Sequence, residues 1–247
     1  MSNISKFSNK TYNVNEKIYS SDDLQLLLHP KLEDALKVKN RVSVVLGIFN
    51  TKFTSLLDIG SNKGNFLQLV SQLNPDAQKL YGVDANEHAI EICKDFIEND
   101  VIKFFGQEGV TAKLPFDDNS FEIVTFFEVL EHVRDLDFFL KEVKRVLNND
   151  GEIYLSVPNA TWWRNVIKDI ILNKEKYTSK IEAWPEFTPD QRDHVNNFNF
   201  IHLYRILHLN KFKLEQLEYC DQSNNFIFKL PYLKNLSSTI IMKLKAI

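Results

Sequence analysis

Apolar and polar positions follow two patterns along the middle of the chain, and together these patterns predict strands that alternate with helices. Short apolar runs bounded by turn residues indicate buried strands, and they cover Ser55–Gly60, Leu80–Asp84, Val101–Phe105, Phe121–Phe127 and Glu152–Val157. Between them, apolar residues recur at helical spacing over Asn65–Leu73, Asn86–Glu98 and Asp135–Leu147. This alternation favours an α/β fold, a doubly wound, mostly parallel sheet with helices on both faces.

The N-terminal region differs from this pattern. Apolar residues recur at roughly helical spacing from Asp22 to Phe49, which predicts one or two helices with a break near Pro30. The first twenty residues are rich in Ser, Asn and Lys, and we expect them to lie loosely on the surface. Residues 1–50 are therefore predicted to form a helical extension ahead of a main domain over residues 51–247.

The alternation lapses after Pro158 and resumes near Phe200. We interpret residues 159–198 as a helical insert that covers the substrate. Its aromatic side chains either form an apolar or sugar-stacking wall or pack the insert onto the sheet, and they are Trp162, Trp163, Tyr177, Trp184 and Phe187. A helix is then predicted near Phe200–Leu209. Strands at Phe212–Tyr219 and Thr239–Leu244 complete a seven-stranded sheet with an antiparallel C-terminal hairpin.

Composition narrows the class of protein. The chain has 247 residues and a net charge of −3, so it carries no overall basic field for long nucleic acids. Its apolar runs are too short to cross a bilayer, and Met1–Lys10 lacks the apolar stretch of a signal peptide. Two cysteines, Cys93 and Cys220, do not make a disulfide framework, so we expect a cytoplasmic protein. The oligomeric state is left open.

The turn after the first buried strand has the residues of a nucleotide-binding loop. Gly60 supplies backbone freedom and a close approach for a ligand at the carboxyl end of the strand. Asp84 ends the next strand, where its carboxylate can accept hydrogen bonds from ribose hydroxyls. A dinucleotide enzyme would carry GxGxxG, but Asn62 stands at the middle position. Asp58 suits a cationic ligand better than a pyrophosphate. The alternative is an ordinary strand–helix turn with a solvated aspartate.

These motifs resemble those of the class I S-adenosylmethionine-dependent methyltransferases. The segment Asp58-x-Gly60-x-x-x-Gly64 is similar to their first motif, and Asp84 is similar to their ribose-binding acid. Later segments also resemble this family, namely Leu114–Glu122, Phe127–Val133, Val157–Asn159 and Asp193–Phe198. The resemblance covers roughly residues 50 to 245 and implies the Rossmann-like methyltransferase fold with S-adenosylmethionine as cofactor.

The resemblance also implies the residues that bind the cofactor: Asp58, Gly60, Ser61, Asn62, Gly64, Asp84, Ala85, Gln107, Glu108 and Phe127. The chain departs from the family in two places. Asn62 replaces the usual middle glycine, although Asn tolerates left-handed backbone conformations. Gly106–Gly109 carries no clear match to the acid that often contacts adenine, and Gln107 or Glu108 is the candidate for that contact.

Catalysis is expected from the segment after the fourth strand. Methyl transfer to a hydroxyl needs alignment of the reactants and a base, and histidine is the best base near neutral pH. We predict that Glu128, His132 and His194 are catalytic, with His132 or His194 as the base. Alternatively, Glu131 and His132 cap a helix start. A third hypothesis is a divalent metal held by Glu128, Glu131, His132 and His194, resembling the site of small-RNA 3′-terminal 2′-O-methyltransferases and partly that of ubiquinone-pathway O-methyltransferases.

The expected activity is therefore transfer of a methyl group from S-adenosylmethionine to a small-molecule acceptor, with a hydroxyl of a sugar or glycan favoured. Two alternatives stay open. One is a metal-dependent 2′-O-methyltransferase acting on an RNA 3′ end, and the other is a non-catalytic subunit of the same fold that scaffolds a partner. The sequence does not name the acceptor.

Overall fold

The computed structural model describes residues 11–14, 17–20, 30–37, 40–107, 112–171, 194–221 and 233–247. The strands in these ranges are β1 Thr11–Val14, β2 Lys17–Ser20, β3 Ser55–Ile59, β4 Lys79–Asp84, β5 Ile102–Gly106, β6 Phe121–Phe127, β7 Leu147–Pro158, β8 Phe212–Cys220 and β9 Thr239–Ala246. The α-helices are α1 Leu32–Lys37, α2 Arg41–Ile48, α3 Asn65–Leu73, α4 Glu87–Phe96, α5 Leu136–Val146, α6 Trp163–Ile171 and α7 Phe200–Leu209. Single turns of 3₁₀-helix lie at Leu130–His132 and Lys234–Leu236.

Strands β3 to β9 form one seven-stranded sheet in the order β5-β4-β3-β6-β7-β9-β8. The neighbours from β5 to β7 pair in parallel, whereas β9 is antiparallel to both β7 and β8. The predicted seven-stranded, mostly parallel α/β sheet with an antiparallel C-terminal hairpin is confirmed. Because the chain crosses from β3 to β4 on one side and returns to β6 on the other, the carboxyl end of β3 lies at a switch point of the topology, where such sheets bind ligands.

The sheet separates two apolar cores. Successive side chains of a strand point to opposite faces, so Leu56 packs in one core with Ile123, while Leu57 packs in the other with Val124. All five residues of β3 are buried, because helices cover both faces of a central parallel strand.

Side-chain caps set where several helices begin. Asn86, Asp135 and Asn199 each accept a hydrogen bond from a backbone N–H three residues later, at the starts of α4, α5 and α7. Asn40 and Ser43 form a reciprocal capping box at the start of α2. Such caps satisfy amide donors that the first helical turn leaves free.

The structure differs from the prediction at some boundaries. β1 and β2 pair with each other antiparallel, although we expected the first twenty residues to lie loosely. β7 begins at Leu147 rather than Glu152, and its pairing with β6 shifts register between Phe121 and Ile123. Backbone groups can pair in a strand even where the side chains are polar. A prediction based on side-chain polarity therefore missed β1, β2 and the first residues of β7.

The insert is described only at its two ends. Helix α6 follows Asn159, and the bridge between Asn159 and Phe198 closes the insert at its base. Arg164 lies over the rings of Trp162 and Trp163, 5.1 and 5.3 Å from their centroids. Tyr177, Trp184 and Phe187 lie outside the described residues. In the part of the chain that the structure covers, no helix combines the length and apolar character needed to cross a bilayer.

Candidate active site

A cavity of about 740 Å³ opens at the carboxyl ends of β3, β4 and β6. It is bordered by both the predicted nucleotide loop and the predicted catalytic segment, and its lining is Arg41, Ile59, Gly60, Asn62, Val83, Asp84, Ala85, Asn86, Gln107, Phe127, Glu128, Val129, His132, Arg134 and Val195. A smaller cavity of about 310 Å³ shares Arg41, Gly60, Asn62 and Phe127 with it and reaches Asp58 and Ser61. The fold thus places most of the predicted site residues around adjoining spaces.

The loop after β3 is held in a left-handed turn. Gly60 has φ of 76° and Asn62 has φ of 44°, a region that glycine enters freely and asparagine tolerates better than most residues. The N–H groups of Gly60 and Ser61 both donate to the carbonyl of Val83, at 2.8 and 3.1 Å. The expectation that Asn62 can replace the family's middle glycine is confirmed by its backbone conformation.

The two loop glycines are required for packing inside the protein. A Cβ on Gly60 would lie 2.6 Å from the Val129 side chain, and one on Gly64 would lie 2.5 Å from the ring of Phe104. Gly64 has φ of 68° and starts α3, but it lines neither cavity. The sequence reasoning gave glycine a role in ligand approach. At both positions the structure shows that a side chain would instead collide with the protein's own core.

Asp84 organises the loop from the end of β4. Its Oδ2 accepts a hydrogen bond from the N–H of Asn62, and its Oδ1 accepts one from the N–H of Asn86, both at 2.8 Å. A carboxylate offers about four acceptor positions, so each oxygen keeps one for a ribose hydroxyl. Ala85 lines the cavity next to it. The acid is thus prepositioned by backbone donors before any ligand arrives.

Asp58 is a buried carboxyl beneath the loop, with 3% of its surface exposed. Its Oδ1 accepts a hydrogen bond of 2.6 Å from the Thr125 hydroxyl. Burial raises the pKa of Asp58 to about 7, and the Thr125 hydrogen bond opposes that rise; the charge of Asp84 raises the pKa further and that of Arg41 lowers it. A cationic ligand group beside Asp58 would favour its ionised form.

The remaining predicted cofactor residues are distributed as follows. Phe127 borders both cavities. Ser61 is buried, and its hydroxyl oxygen has no hydrogen-bond partner among the described residues. Gln107 lines the larger cavity while its side-chain amide donates to the carbonyl of Ala112 at 2.9 Å. Glu108 lies outside the described residues. The orphaned Ser61 hydroxyl, the buried Asp58 carboxyl and the Asp84 carboxylate are a set of polar groups whose chemistry fits a nucleoside with a cationic tail.

Glu128 is held by two partners at the end of β6. It has φ of 55°, an uncommon conformation for a residue with a side chain. Its Oε1 lies 3.2 Å from Nη1 of Arg41 and accepts a hydrogen bond of 2.8 Å from the Ser156 hydroxyl. Glu128 lines the cavity, and both of these contacts are made by the same carboxylate oxygen, Oε1. Strained backbone of this kind is often found at functional sites.

Three other predicted residues converge beside the cavity. The rings of His132 and His194 pack edge to face with their centroids 4.8 Å apart. Glu131, His132 and His194 each present a ligand atom within 4.8 Å of the others. Glu131 is 1% exposed, and both of its carboxylate oxygens lack a hydrogen-bond partner among the described residues. Burial, followed by the charge of Glu128, raises the pKa of Glu131 to about 8. The side chain of Glu131 does not cap the 3₁₀ turn, unlike one of the predicted alternatives.

Backbone contacts explain why His194 reaches His132. The N–H groups of Val195 and Asn196 donate to the Glu131 carbonyl at 2.8 and 3.1 Å. The side-chain amide of Asn196 donates to the carbonyls of Leu130 and Val133, at 3.1 and 2.6 Å. The end of the insert is therefore fastened to the turn after β6. These hydrogen bonds hold the backbone next to His194 close to the turn that carries His132.

Two arginines of the cavity were missed by the sequence reasoning. Arg41 starts α2, far from the loop motifs in the sequence, and no local signal relates it to Glu128. Arg134 comes two residues after His132. Its position next to the predicted catalytic segment could have indicated that it belongs to the site. Both line the same cavity.

Comparison with known proteins agrees with this arrangement. Residues 57–155 match the methyltransferase domain family. Over this segment the chain is similar to the class I S-adenosylmethionine-dependent methyltransferases. An uncharacterised methyltransferase, YcgJ, of Bacillus subtilis is 36% identical over 101 residues, which are 40% of this chain and 39% of that protein. The ubiquinone biosynthesis O-methyltransferase of Pelagibacter ubique is 28% identical over 110 residues, 44% of each chain.

The methyltransferase fold extends beyond the matched sequence. The structure of a S-adenosylmethionine-dependent methyltransferase from Aquifex aeolicus superposes with a TM-score of 0.59 at 13% identity, covering 93% of this chain and 100% of that one. The chain spans less than half the length of the two curated relatives described above. S-adenosylmethionine is the cofactor of this family and fold, and the donor set around Asp58, Ser61 and Asp84 fits it.

Proposed function

We propose that this protein transfers the methyl group of S-adenosylmethionine to a hydroxyl of a small-molecule acceptor. One observation carries the proposal: a single cavity extends from the nucleotide loop and Asp84 to Glu128 and His132. Methyl transfer needs the cofactor and the acceptor to be aligned next to each other. The lining of this cavity includes both the predicted cofactor residues and the predicted catalytic residues. The intact cavity also favours an enzyme over the scaffold alternative.

The cofactor would be held by the residues at one end of that cavity. We assign Asp84 to the ribose hydroxyls, Asp58 to the amino group of the methionine part, and the loop from Gly60 to Asn62 to the close backbone approach. When bound, the cofactor supplies an electrophilic methyl group on a sulfonium. The chain's own contribution is to orient the acceptor and to accept its proton.

His132 is the residue we assign as the base. It lines the cavity, and His194 packs against it from the end of the insert. The bound cofactor would supply the methyl group and keep the electrons of its carbon–sulfur bond, and the His132 imidazole would accept the proton of the acceptor hydroxyl. A general base of this kind typically contributes about 10²–10⁴-fold. The Pelagibacter relative is named an O-methyltransferase, which supports oxygen as the accepting atom.

A metal-assisted form of the same reaction is the second candidate, and Glu131 is the observation that favours it. A buried carboxylate with no hydrogen bond among the described residues, next to two imidazoles, is the kind of donor set that a divalent ion prefers. The ligands would be Glu131, His132 and His194. Glu128 is bound to Arg41 and Ser156, so we no longer include it. The RNA 3′-end alternative depends on this metal site.

The acceptor class stays a proposal. A sugar or glycan was favoured because aromatic residues fill the insert, but Arg164 covers faces of Trp162 and Trp163, and the other aromatic residues of that set lie outside the described residues. The role of residues 159–198 as a substrate lid is supported by Val195, which lines the cavity near the end of the insert.

The deciding experiment has two steps. Calorimetry with S-adenosylmethionine tests the cofactor site, and failure of the cofactor to bind would overturn the proposal. A screen of hydroxylated sugars, phenols and quinols with radiolabelled cofactor then tests the acceptor. Methyl ethers in the product would support oxygen transfer, whereas methylated amines would exclude it.

A further inference from the structure

One cationic side chain at the acceptor end of the cavity has no acidic partner. Arg134 is exposed and lines the cavity together with His132 and Val195. Within the described ranges it makes neither a hydrogen bond nor a salt bridge. An arginine with a free guanidinium is unremarkable on an open surface, but here it borders the space in which the proposed reaction takes place.

The acids near Arg134 in the sequence are engaged elsewhere. Asp135 caps helix α5 by accepting a hydrogen bond of 2.9 Å from the N–H of Phe138. Asp137 accepts a hydrogen bond of 3.0 Å from the side chain of Asn210. Neither carboxylate forms an ion pair with the Arg134 guanidinium among the described residues.

The other charges that line the cavity are also accounted for. Arg41 pairs with Glu128 at 3.2 Å. Both oxygens of Asp84 accept backbone hydrogen bonds, and the same carboxylate is assigned to the ribose. Of the two arginines in the cavity lining, Arg134 is the one that forms no ion pair among the described residues. The sulfonium of the cofactor would add a second positive charge.

We propose that Arg134 binds an oxyanion of the methyl acceptor, so that the substrate is a small hydroxylated molecule that also carries a carboxylate or a phosphate. This inference rests on the proposed function and names its substrate class. A guanidinium presents paired N–H donors that match the two oxygens of a carboxylate or phosphate. An acceptor held by its anion at Arg134 would have its hydroxyl near His132, which lines the same end of the cavity.

The test compares matched anionic and neutral acceptors on the protein saturated with S-adenosylhomocysteine. The carboxylate arm uses 3,4-dihydroxybenzoate against 3,4-dihydroxybenzamide, and the phosphate arm uses glucose 6-phosphate against glucose, each titrated by calorimetry. We expect one anionic member to bind at least roughly tenfold more tightly than its neutral partner, as a charge-assisted hydrogen-bonded pair would give. The arm that responds identifies the anion.

Variants connect that preference to the side chain. Arg134→Gln should abolish the anion preference, Arg134→Lys should keep part of it, and Arg205→Gln, an exposed arginine on α7 that does not line the cavity, should leave it unchanged. The inference is overturned if neither arm shows a preference or if the preference survives in Arg134→Gln. Cofactor affinity is measured first in every variant. A protein that binds cofactor but shows no anion preference contradicts this inference alone, whereas one that binds no cofactor contradicts the proposed function.

Discussion

His132 and His194 pack edge to face, with ring centroids 4.8 Å apart, although α5, β7 and most of the insert separate them in the sequence. One ring belongs to the turn after β6 and the other to the end of the insert. The pair therefore forms only when these segments are fastened together, which is the work of the backbone bonds to Glu131 and the side chain of Asn196. The proposed chemistry depends on this junction.

The first prediction concerns that junction. Asn196→Ala removes two side-chain hydrogen bonds and leaves the carbonyls of Leu130 and Val133 without these donors, so unfolding free energy should fall by about 1–3 kcal/mol. Turnover should also fall, because His194 loses its support, while cofactor affinity stays the same. The matched control is Asn210→Ala, which also removes two side-chain hydrogen bonds but follows the last residue of α7 and does not line the cavity. Equal losses of turnover in both variants would contradict a specific role for Asn196.

The second prediction concerns the ribose acid. Asp84→Ala should weaken S-adenosylmethionine binding by about 1.5–3 kcal/mol, because it removes charge-assisted acceptors and the bonds that order the loop at Asn62 and Asn86. Calorimetry measures the affinity, and circular dichroism checks that the variant is folded. Asp76→Ala, at an exposed acid outside the cavity, is the control. Unchanged affinity in Asp84→Ala would remove Asp84 from the ribose site.

The third prediction is a pH dependence of cofactor binding. Burial raises the pKa of Asp58 to about 7 in the free protein, so the carboxyl is mostly neutral at pH 6 and mostly ionised at pH 8. A cationic amino group binds the ionised form better, so cofactor affinity should rise as the pH increases through 7 and then level off. Asp58→Asn should bind more weakly at pH 8 and lose most of this slope. Calorimetry at pH 6, 7 and 8 measures both proteins, and a slope that persists in the variant would exclude Asp58 as its source.

The fourth prediction separates the base from the metal. If His132 is a simple base, His132→Ala should lower turnover by about 10²–10⁴-fold with little effect on cofactor affinity, and chelator should have no effect. If Glu131, His132 and His194 hold a divalent ion, chelator should abolish turnover and added metal should restore it. Glu131→Gln should then weaken metal binding, which the visible absorption of bound Co²⁺ reports without an acceptor. Full activity in both His132→Ala and His194→Ala would exclude both readings.

The sequence by itself determined the fold class and the nucleotide end of the site. Buried strands and amphipathic helices are local patterns, and the loop from Asp58 to Gly64 lies within one strand–turn–helix unit, so neighbouring residues carry its whole geometry. The backbone conformation of Asn62 and the position of Asp84 at the end of β4 could be inferred for the same reason. The pairing of β1 with β2 was missed because each strand has only four residues and lies in a segment rich in Ser, Asn and Lys.

Only the tertiary structure determined which residues meet at the acceptor end of the cavity. Arg41 lies in the N-terminal helices, Glu128 at the end of β6 and Val195 near the end of the insert. No spacing in the sequence indicates that these three segments meet. The structure also separated two acids that the sequence treats alike. Glu128 pairs with Arg41, whereas Glu131, three residues later, turns into the protein beside His132 and His194. A turn of 3₁₀-helix directs these neighbouring side chains differently, and packing from distant segments determines which of them is paired and which stays buried without a hydrogen-bond partner among the described residues.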